Sequence, residues 1–255
     1  ITKVAGKVDQ IAHIATINLE LVLADLESVD KRIARVAKIA KTKDKDAVAE
    51  LAVLEKIKPV LEEGQLARTI EFTEEELPIV KGLFLLTTKP MLYIANISED
   101  DVMEGGHNQY VQLVEDYAAK EDAEVVVICA KIEEEVAELE EEEKQVFLEE
   151  MGIEISGLDI LIQKAYHLLG LATYFTAGEQ EVRAWTFRRG MKAPQCAGII
   201  HSDFERGFIR AETVAYADLL EYGSMTAAKE NGKVRQEGKV YVVQDGDVML
   251  FRFNV

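Results

Sequence analysis

Leu19, Val22, Leu26, Val29, Ile33, Val36 and Ala40 follow one another at alternating spacings of three and four without interruption. That is the apolar seam of a long helix, and the positions between are largely charged. Lys41-Thr42-Lys43-Asp44-Lys45-Asp46 contains no apolar residue and reads as a turn. Beyond it, Ala47, Leu51, Leu54 and Leu61 share one face of a second helix that stops around Pro59 to Gly64. Two such helices joined by a short polar turn predict an antiparallel coiled-coil hairpin, its first arm roughly 40 Å long at 1.5 Å per residue.

The far end of the hairpin is basic, carrying Lys31, Arg32, Arg35, Lys38, Lys41, Lys43 and Lys45. Two readings stay open. The charges form a solvated face with Asp30, Asp44 and Asp46 as partners, or they form an arm that contacts phosphates. The cluster stands out because the 255-residue chain has a net charge of −18, which argues against non-specific nucleic-acid binding by the chain as a whole.

Downstream, Phe72-Thr73-Glu74-Glu75-Glu76 has the pattern of a capping box opening a helix. An α/β texture follows. The apolar run Met91 to Ala95 predicts a strand, then a Gly105-Gly106 loop and a helix near Asn108 to Lys120. Glu124 to Cys129 predicts a second strand, followed by a very acidic helix around Glu133 to Glu150 and another near Leu158 to Leu169. Strand, helix, strand, helix at these lengths indicates a parallel sheet. Asn96 and Glu99 come directly after the first strand. Open α/β sheets bind ligands at that end, and an amide beside a carboxylate is suited to a flat heterocycle.

From Thr173 the texture changes to short alternating strands: Val182 to Thr186, Gly207 to Glu212, Val240 to Val243 and Val248 to Phe253. Gln195 to Phe204 and Tyr216 to Glu221 read as short helices, and Asp245-Gly246-Asp247 as a hairpin-type turn. The expectation is a small α+β domain with local positive charge from Arg183, Arg188, Arg189, Lys192, Arg206 and Arg210.

Several classes are disfavoured. No apolar run approaches a membrane span, and Ile1-Thr2-Lys3-Val4 is no signal peptide. Cys129 and Cys196 lie far apart without a CxxC, which fits a reduced, cytoplasmic setting. The four histidines are scattered, and the acid run Glu140 to Glu143 lacks the spacing of a calcium loop, so no metal site is expected. His201 reads as a structural hydrogen-bonder, since no Ser/His/Asp or Cys/His arrangement accompanies it.

Asn96-Ile97-Ser98-Glu99 resembles the altered base-recognition motif of the YchF/Obg-like ATPases, in which Asn-x-x-Glu replaces the Asn-Lys-x-Asp of GTPases. Leu85-Leu86-Thr87-Thr88-Lys89-Pro90 and the preceding hairpin extend the resemblance. So do Thr173 to Gly178, Glu181 to Thr186, Ile200 to Glu212 and Asp245 to Val248, which are similar to the family's closing TGS domain, a ubiquitin-like β-grasp module. The resemblance covers essentially the whole chain. It implies an α/β fold with part of a P-loop NTPase parallel sheet in residues 1–14 and 72–172. The hairpin is then an insertion over 15–71, and a β-grasp TGS domain occupies 173–255.

The chain contains no Gly-x-x-x-x-Gly-Lys-[Ser/Thr] and no Asp-x-x-Gly of the magnesium-binding kind. In the family both precede the point where this chain begins, so an N-terminally truncated fragment is expected. The resemblance implies ATP or GTP with Mg²⁺ as the intact protein's cofactors and hydrolysis of a nucleoside triphosphate as its reaction. It also implies a ribosome or RNA partner. Asn96, Ile97 and Glu99 would read the base, supported by the backbone of Cys129 and Ala130 in the position of a Ser-Ala-Lys motif. No catalytic residue is expected here, and the fragment alone is expected to be inactive. A carboxylate accepts from the N1–H and 2-amine of guanine, whereas adenine offers only its 6-amine on that edge. A longer, displaced Glu99 therefore implies ATP at least as readily as GTP. Lys38, Lys41, Lys43, Lys45, Arg183, Arg188, Arg189, Arg206 and Arg210 are the expected nucleic-acid contacts. The alternative is a non-enzymatic RNA- or ribosome-binding module.

Overall fold

The computed structural model describes residues 9–121, 123–178 and 181–254, so residues 1–8 of the expected nucleotide-binding segment lie outside the described residues. Helix α1 runs over Gln10–Ala40, about 46 Å at 1.5 Å per residue. Its N-terminus is capped by Asp9, whose carboxylate accepts from the Ala12 N–H at 3.0 Å. Asp44 caps α2 (Lys45–Glu62) in the same way through the Ala47 N–H at 2.8 Å. Between them Lys43 takes a left-handed backbone, φ 63°. Ion pairs from Arg32 to Glu50 and from Asp30 to Lys58 show that the two helices run antiparallel.

Val22, Val29 and Val36 of the seam are buried with Val53, Leu54, Ile57 and Leu61 of α2, while Leu26, Ile33 and Ala40 pack at the margin. Leu19 remains half exposed, so the seam is filled from Val22 onward. Pro59 lies inside α2, which continues one turn past it.

The base of the hairpin is held by a buried carboxylate. Asp25 accepts from the Leu86 N–H at 2.9 Å, the Thr87 N–H at 2.7 Å and the Thr87 hydroxyl at 2.6 Å. The Thr87 Oγ1 in turn accepts from the Ala67 N–H at 3.2 Å. Every partner here is a backbone N–H or a hydroxyl, so the buried carboxylate is satisfied. A second tie joins Arg68 and Tyr93 to the Glu121 carboxylate at 2.7 and 2.9 Å. Thr73 and Glu76 form the expected capping box ahead of α3 (Leu77–Leu83).

Strands β1 (Leu92–Asn96) and β2 (Glu124–Ile128) pair in parallel, with Asn96 opposite Ile128. The connection contains α4 (Glu99–Met103) and α5 (Gln109–Lys120). The acidic stretch after β2 is two helices rather than one, α6 (Ala130–Glu138) and α7 (Glu141–Glu150). Glu140 caps α7 and so interrupts the run, and Glu140 to Glu143 are exposed to solvent. Helix α8 (Gly157–Leu168) starts against β2. Gly157 is required there, because a Cβ would stand 2.8 Å from Ile128 Cγ2.

The chain divides into two compact units, residues 1–161 and 162–255. The second unit contains β3 (Leu171–Ala177), β4 (Val182–Arg188), α9 (Ala193–Ile200), α10 (Ser202–Arg206) and β5 (Phe208–Ala215). It continues through α11 (Tyr216–Tyr222), α12 (Met225–Glu230), β6 (Arg235–Glu237) and β7 (Asp247–Phe253). The sheet order is β4-β3-β7-β5-β6, mixed, with β3 and β7 parallel and the other pairs antiparallel. Tyr174, Phe187, Cys196, Ala197, Met249 and Phe251 are buried between the sheet and α9.

Two local expectations are corrected. Val240 to Val243 is not a strand: one isolated bridge joins Val242 to Lys192, because the segment folds back on the start of α9. Asp245-Gly246-Asp247 does not link a hairpin. Gly246, at φ +81°, donates to the Thr173 carbonyl at 2.8 Å, and Asp245 accepts from the Thr173 N–H at 2.9 Å. The turn therefore leads into the strand that lies beside β3.

Candidate nucleotide-base site

Asn96 ends β1, and Ile128 opposite it ends β2, so the residues after them share one edge of the parallel pair. The Asn96 side chain bridges that edge: its Oδ1 accepts from the Ala130 N–H at 2.9 Å. A backbone N–H can only donate, so the amide is oriented with its NH₂ pointing elsewhere. Asn96 is exposed, and that NH₂ is a donor available to an incoming ring nitrogen. The Ile97 N–H donates to the Ile128 carbonyl at 2.8 Å, extending the strand pairing one residue past the sheet.

Ser98 then caps α4 in a full capping box with Asp101, and Asn108 donates to the second Asp101 oxygen at 3.0 Å. The bond from the Ser98 hydroxyl, then that from Asn108, holds the Asp101 carboxyl below the usual carboxylate range. This clamp fixes the first turn of α4 and with it Glu99. The Glu99 carboxylate meets the Lys131 ammonium in an ion pair, and the bond raises the lysine's pKa above its ordinary value.

The structure thus brings Asn96, Glu99, Ala130 and Lys131 together at the sheet edge. Ile97 and Cys129 are turned elsewhere. They line an apolar cleft of about 450 Å³ with Val102, Ile132, Met151 and Ile153, and neither Asn96 nor Glu99 borders it. Cys129 is a buried free thiol in that cluster. The largely apolar lining makes the cleft a poor match to the polar edge, so the edge itself is the better candidate for reading a base.

Lys131, the third residue of the Cys129-Ala130-Lys131 tripeptide at the Ser-Ala-Lys position, carries no side-chain role in the sequence reading. The pairing links positions 32 residues apart and has no local signal. The Ser98-x-x-Asp101 spacing, by contrast, is a visible capping pattern that went unused.

The basic candidates divide. Lys38, Lys41, Lys43 and Lys45 are all exposed, and none forms an ion pair among the described residues. Of the three acids proposed as their partners, Asp30 pairs with Lys58 and Asp44 caps α2, while Asp46 is exposed and, among the described residues, forms no ion pair with them. In the second unit Arg189 pairs with Asp245 at 2.8 Å and Arg206 with Asp203 at 3.2 Å. Arg183 lies over the Trp185 ring, 4.0 Å from its centre. Arg188 and Arg210 are exposed. His201 caps α10, its Nδ1 accepting from the Asp203 N–H at 3.2 Å.

Among the described residues no group of three or more His, Cys, Asp and Glu side chains is arranged to hold a metal ion. Among the same residues no helix is long and apolar enough to cross a membrane.

Residues 171–254 match the YchF-GTPase_C family model, described as a protein of unknown function. The chain is 68% identical over all its 255 residues to a protein of Bacillus subtilis named ribosome-binding ATPase YchF, 70% of whose length is covered. A protein of the same name from Haemophilus influenzae is 53% identical, with 69% of its length covered. Among solved structures, the Schizosaccharomyces pombe YchF GTPase superposes with a TM-score of 0.83 at 35% identity, covering 98% of this chain and 68% of that one.

Proposed function

The chain belongs to the YchF family, and from that membership we propose that it carries the base-reading half of the nucleotide site in a ribosome-associated nucleoside triphosphatase. The observation that carries this reading is the Asn96–Ala130 bond, which leaves an oriented amide donor at the C-terminal edge of a parallel strand pair. The amide NH₂ donates to a purine ring nitrogen, the Ala130 backbone fixes it, and Glu99 stands beside it as the acceptor. The names of the relatives support nucleotide hydrolysis and ribosome binding, and the Asn-x-x-Glu spacing supports ATP at least as well as GTP. Phosphoryl transfer in such a protein relies on positioning and charge stabilisation around Mg²⁺. This chain supplies base orientation, and the phosphate loop and magnesium ligands come from a segment it does not contain. The fragment by itself is then catalytically inactive.

The same reading assigns residues 173–255 to a β-grasp TGS domain, which the mixed β4-β3-β7-β5-β6 order supports, and residues 15–71 to an inserted arm. The four unpaired lysines at the hairpin tip support a second role, contact with ribosomal RNA, independent of hydrolysis. Arg183, Arg188, Arg189, Arg206 and Arg210 are assigned to the same surface function.

Calorimetric titration with ATP and GTP separates the two roles. The chain joined to the phosphate-loop segment is expected to bind ATP at least as tightly as GTP and to hydrolyse it. The chain alone is expected to sediment with ribosomes without hydrolysis. Binding of neither nucleotide by the extended protein would remove the enzyme reading and leave the RNA-binding module.

A further inference from the structure

We propose, on the footing of that nucleotide-site reading, that Lys131 is a specificity-determining residue: by engaging the Glu99 carboxylate it takes away the acceptor guanine requires and tilts the site towards adenine. Guanine presents two donors on its pairing edge, the N1–H and the 2-amine, and a carboxylate reads both only when its oxygens are free. Adenine presents a bare N1 and no 2-amine, so it gains nothing from a free carboxylate at that position. An ammonium has three donors and no acceptor. Where it covers Glu99, guanine's donors would meet further donors.

The geometry is built for this contact rather than left to two loose side chains. Glu99 opens α4, whose first turn is clamped by the Ser98–Asp101 box. Lys131 is the second residue of α6, whose first N–H is held by Asn96 at 2.9 Å. The two strand ends are in register through Asn96 and Ile128, so the carboxylate and ammonium are presented from adjacent strands. The bond from Glu99 is the leading cause of the raised lysine pKa, ahead of its coulombic attraction and that of Glu135.

Both side chains are partly exposed, 63% for Lys131 and 37% for Glu99. Exposed pairs of this kind are modest, which bounds the effect on discrimination at up to about fivefold. The test is the ratio of ATP to GTP affinity in the chain joined to its phosphate-loop segment. Lys131→Met is expected to shift that ratio towards GTP by about threefold to fivefold. Lys131→Arg, which keeps the charge, is expected to retain the original ratio. Glu99→Gln is expected to abolish the gain, so that Glu99→Gln and the double variant discriminate alike. Raising the salt concentration should move the unsubstituted protein towards GTP and leave Lys131→Met unmoved. An unchanged ratio in Lys131→Met, with ATP binding intact, overturns the role of Lys131 alone. Absence of binding by either nucleotide in the unsubstituted protein overturns the site reading and this inference with it.

Discussion

Asp25 is the residue on which the fit of the hairpin to the α/β layer depends. Its carboxylate satisfies two backbone N–H groups and a hydroxyl inside a buried setting. Asp25→Ala would strand those donors without water, and buried unmet donors cost about 1–3 kcal/mol each. The variant is expected to lose about 3 kcal/mol in urea unfolding, while a comparable change at exposed Glu74 stays within about 0.5 kcal/mol. Equal losses at both sites would contradict the account. At this scale the sequence was uneven. Asn96 and Glu99 were legible because their spacing follows directly on a strand. Asp25 sits beside the seam like any other charged position of a coiled coil, and its partners lie more than 60 residues away. Lys131 was obscured for the same reason.

Among the elements, the hairpin was read almost entirely from periodicity, since a seam three heptads long admits few other folds. The second unit was harder. Strand β6 is Arg235-Gln236-Glu237, a polar edge strand with no alternation to betray it. Val240 to Val243 had the composition of a strand but makes one bridge, because its backbone is turned to support α9. Two predictions belong here. Charge reversal of Lys38, Lys41, Lys43 and Lys45 together should weaken ribosome binding and flatten its salt dependence, with helicity by circular dichroism unchanged because all four are exposed. Unaltered binding would remove the arm from the interface.

The second concerns the β-sheet core around α9. Burial pushes the Cys196 thiol from an ordinary 9.0 to about 12. Burial, then the bond to Asp247, pushes Tyr241 from 10.0 to about 12. Burial also raises Tyr174, whose hydroxyl donates to the Cys196 carbonyl at 2.9 Å. In each case the folded state keeps a proton that the unfolded chain gives up at lower pH. The stabilisation is complete below about pH 9 and is lost as pH rises towards about 12. Trp185 is the only tryptophan and sits half-buried in β4, so its fluorescence reports on this unit. The urea midpoint it follows is expected to be level near neutrality and to fall steadily above pH 9. A midpoint independent of pH up to 11 would contradict this reading of the core.

At the scale of the molecule, each unit has its own apolar core, and in a strongly acidic chain Lys38, Lys41, Lys43 and Lys45, exposed and without ion pairs among the described residues, cluster at the hairpin tip. That arrangement confines contact with a polyanion to selected surfaces, since the rest of the chain repels it. The division of labour proposed here is that the chain reads the base and a separate segment holds the phosphates. The Asn96-Ile97-Ser98-Glu99 stretch suggests the first half through its resemblance to the family's motif. The parallel pairing of β1 and β2 and the bond across their ends support that proposal.

The central claim is tested most directly by Asn96→Ala in the chain joined to its phosphate-loop segment, titrated with ATP and, separately, with inorganic triphosphate. Loss of the oriented amide should weaken ATP by about tenfold, the worth of one lost hydrogen bond in a partly dry site, and leave inorganic triphosphate unaffected. Equal weakening of both ligands, or no weakening of ATP, would contradict the assignment of base reading to this chain.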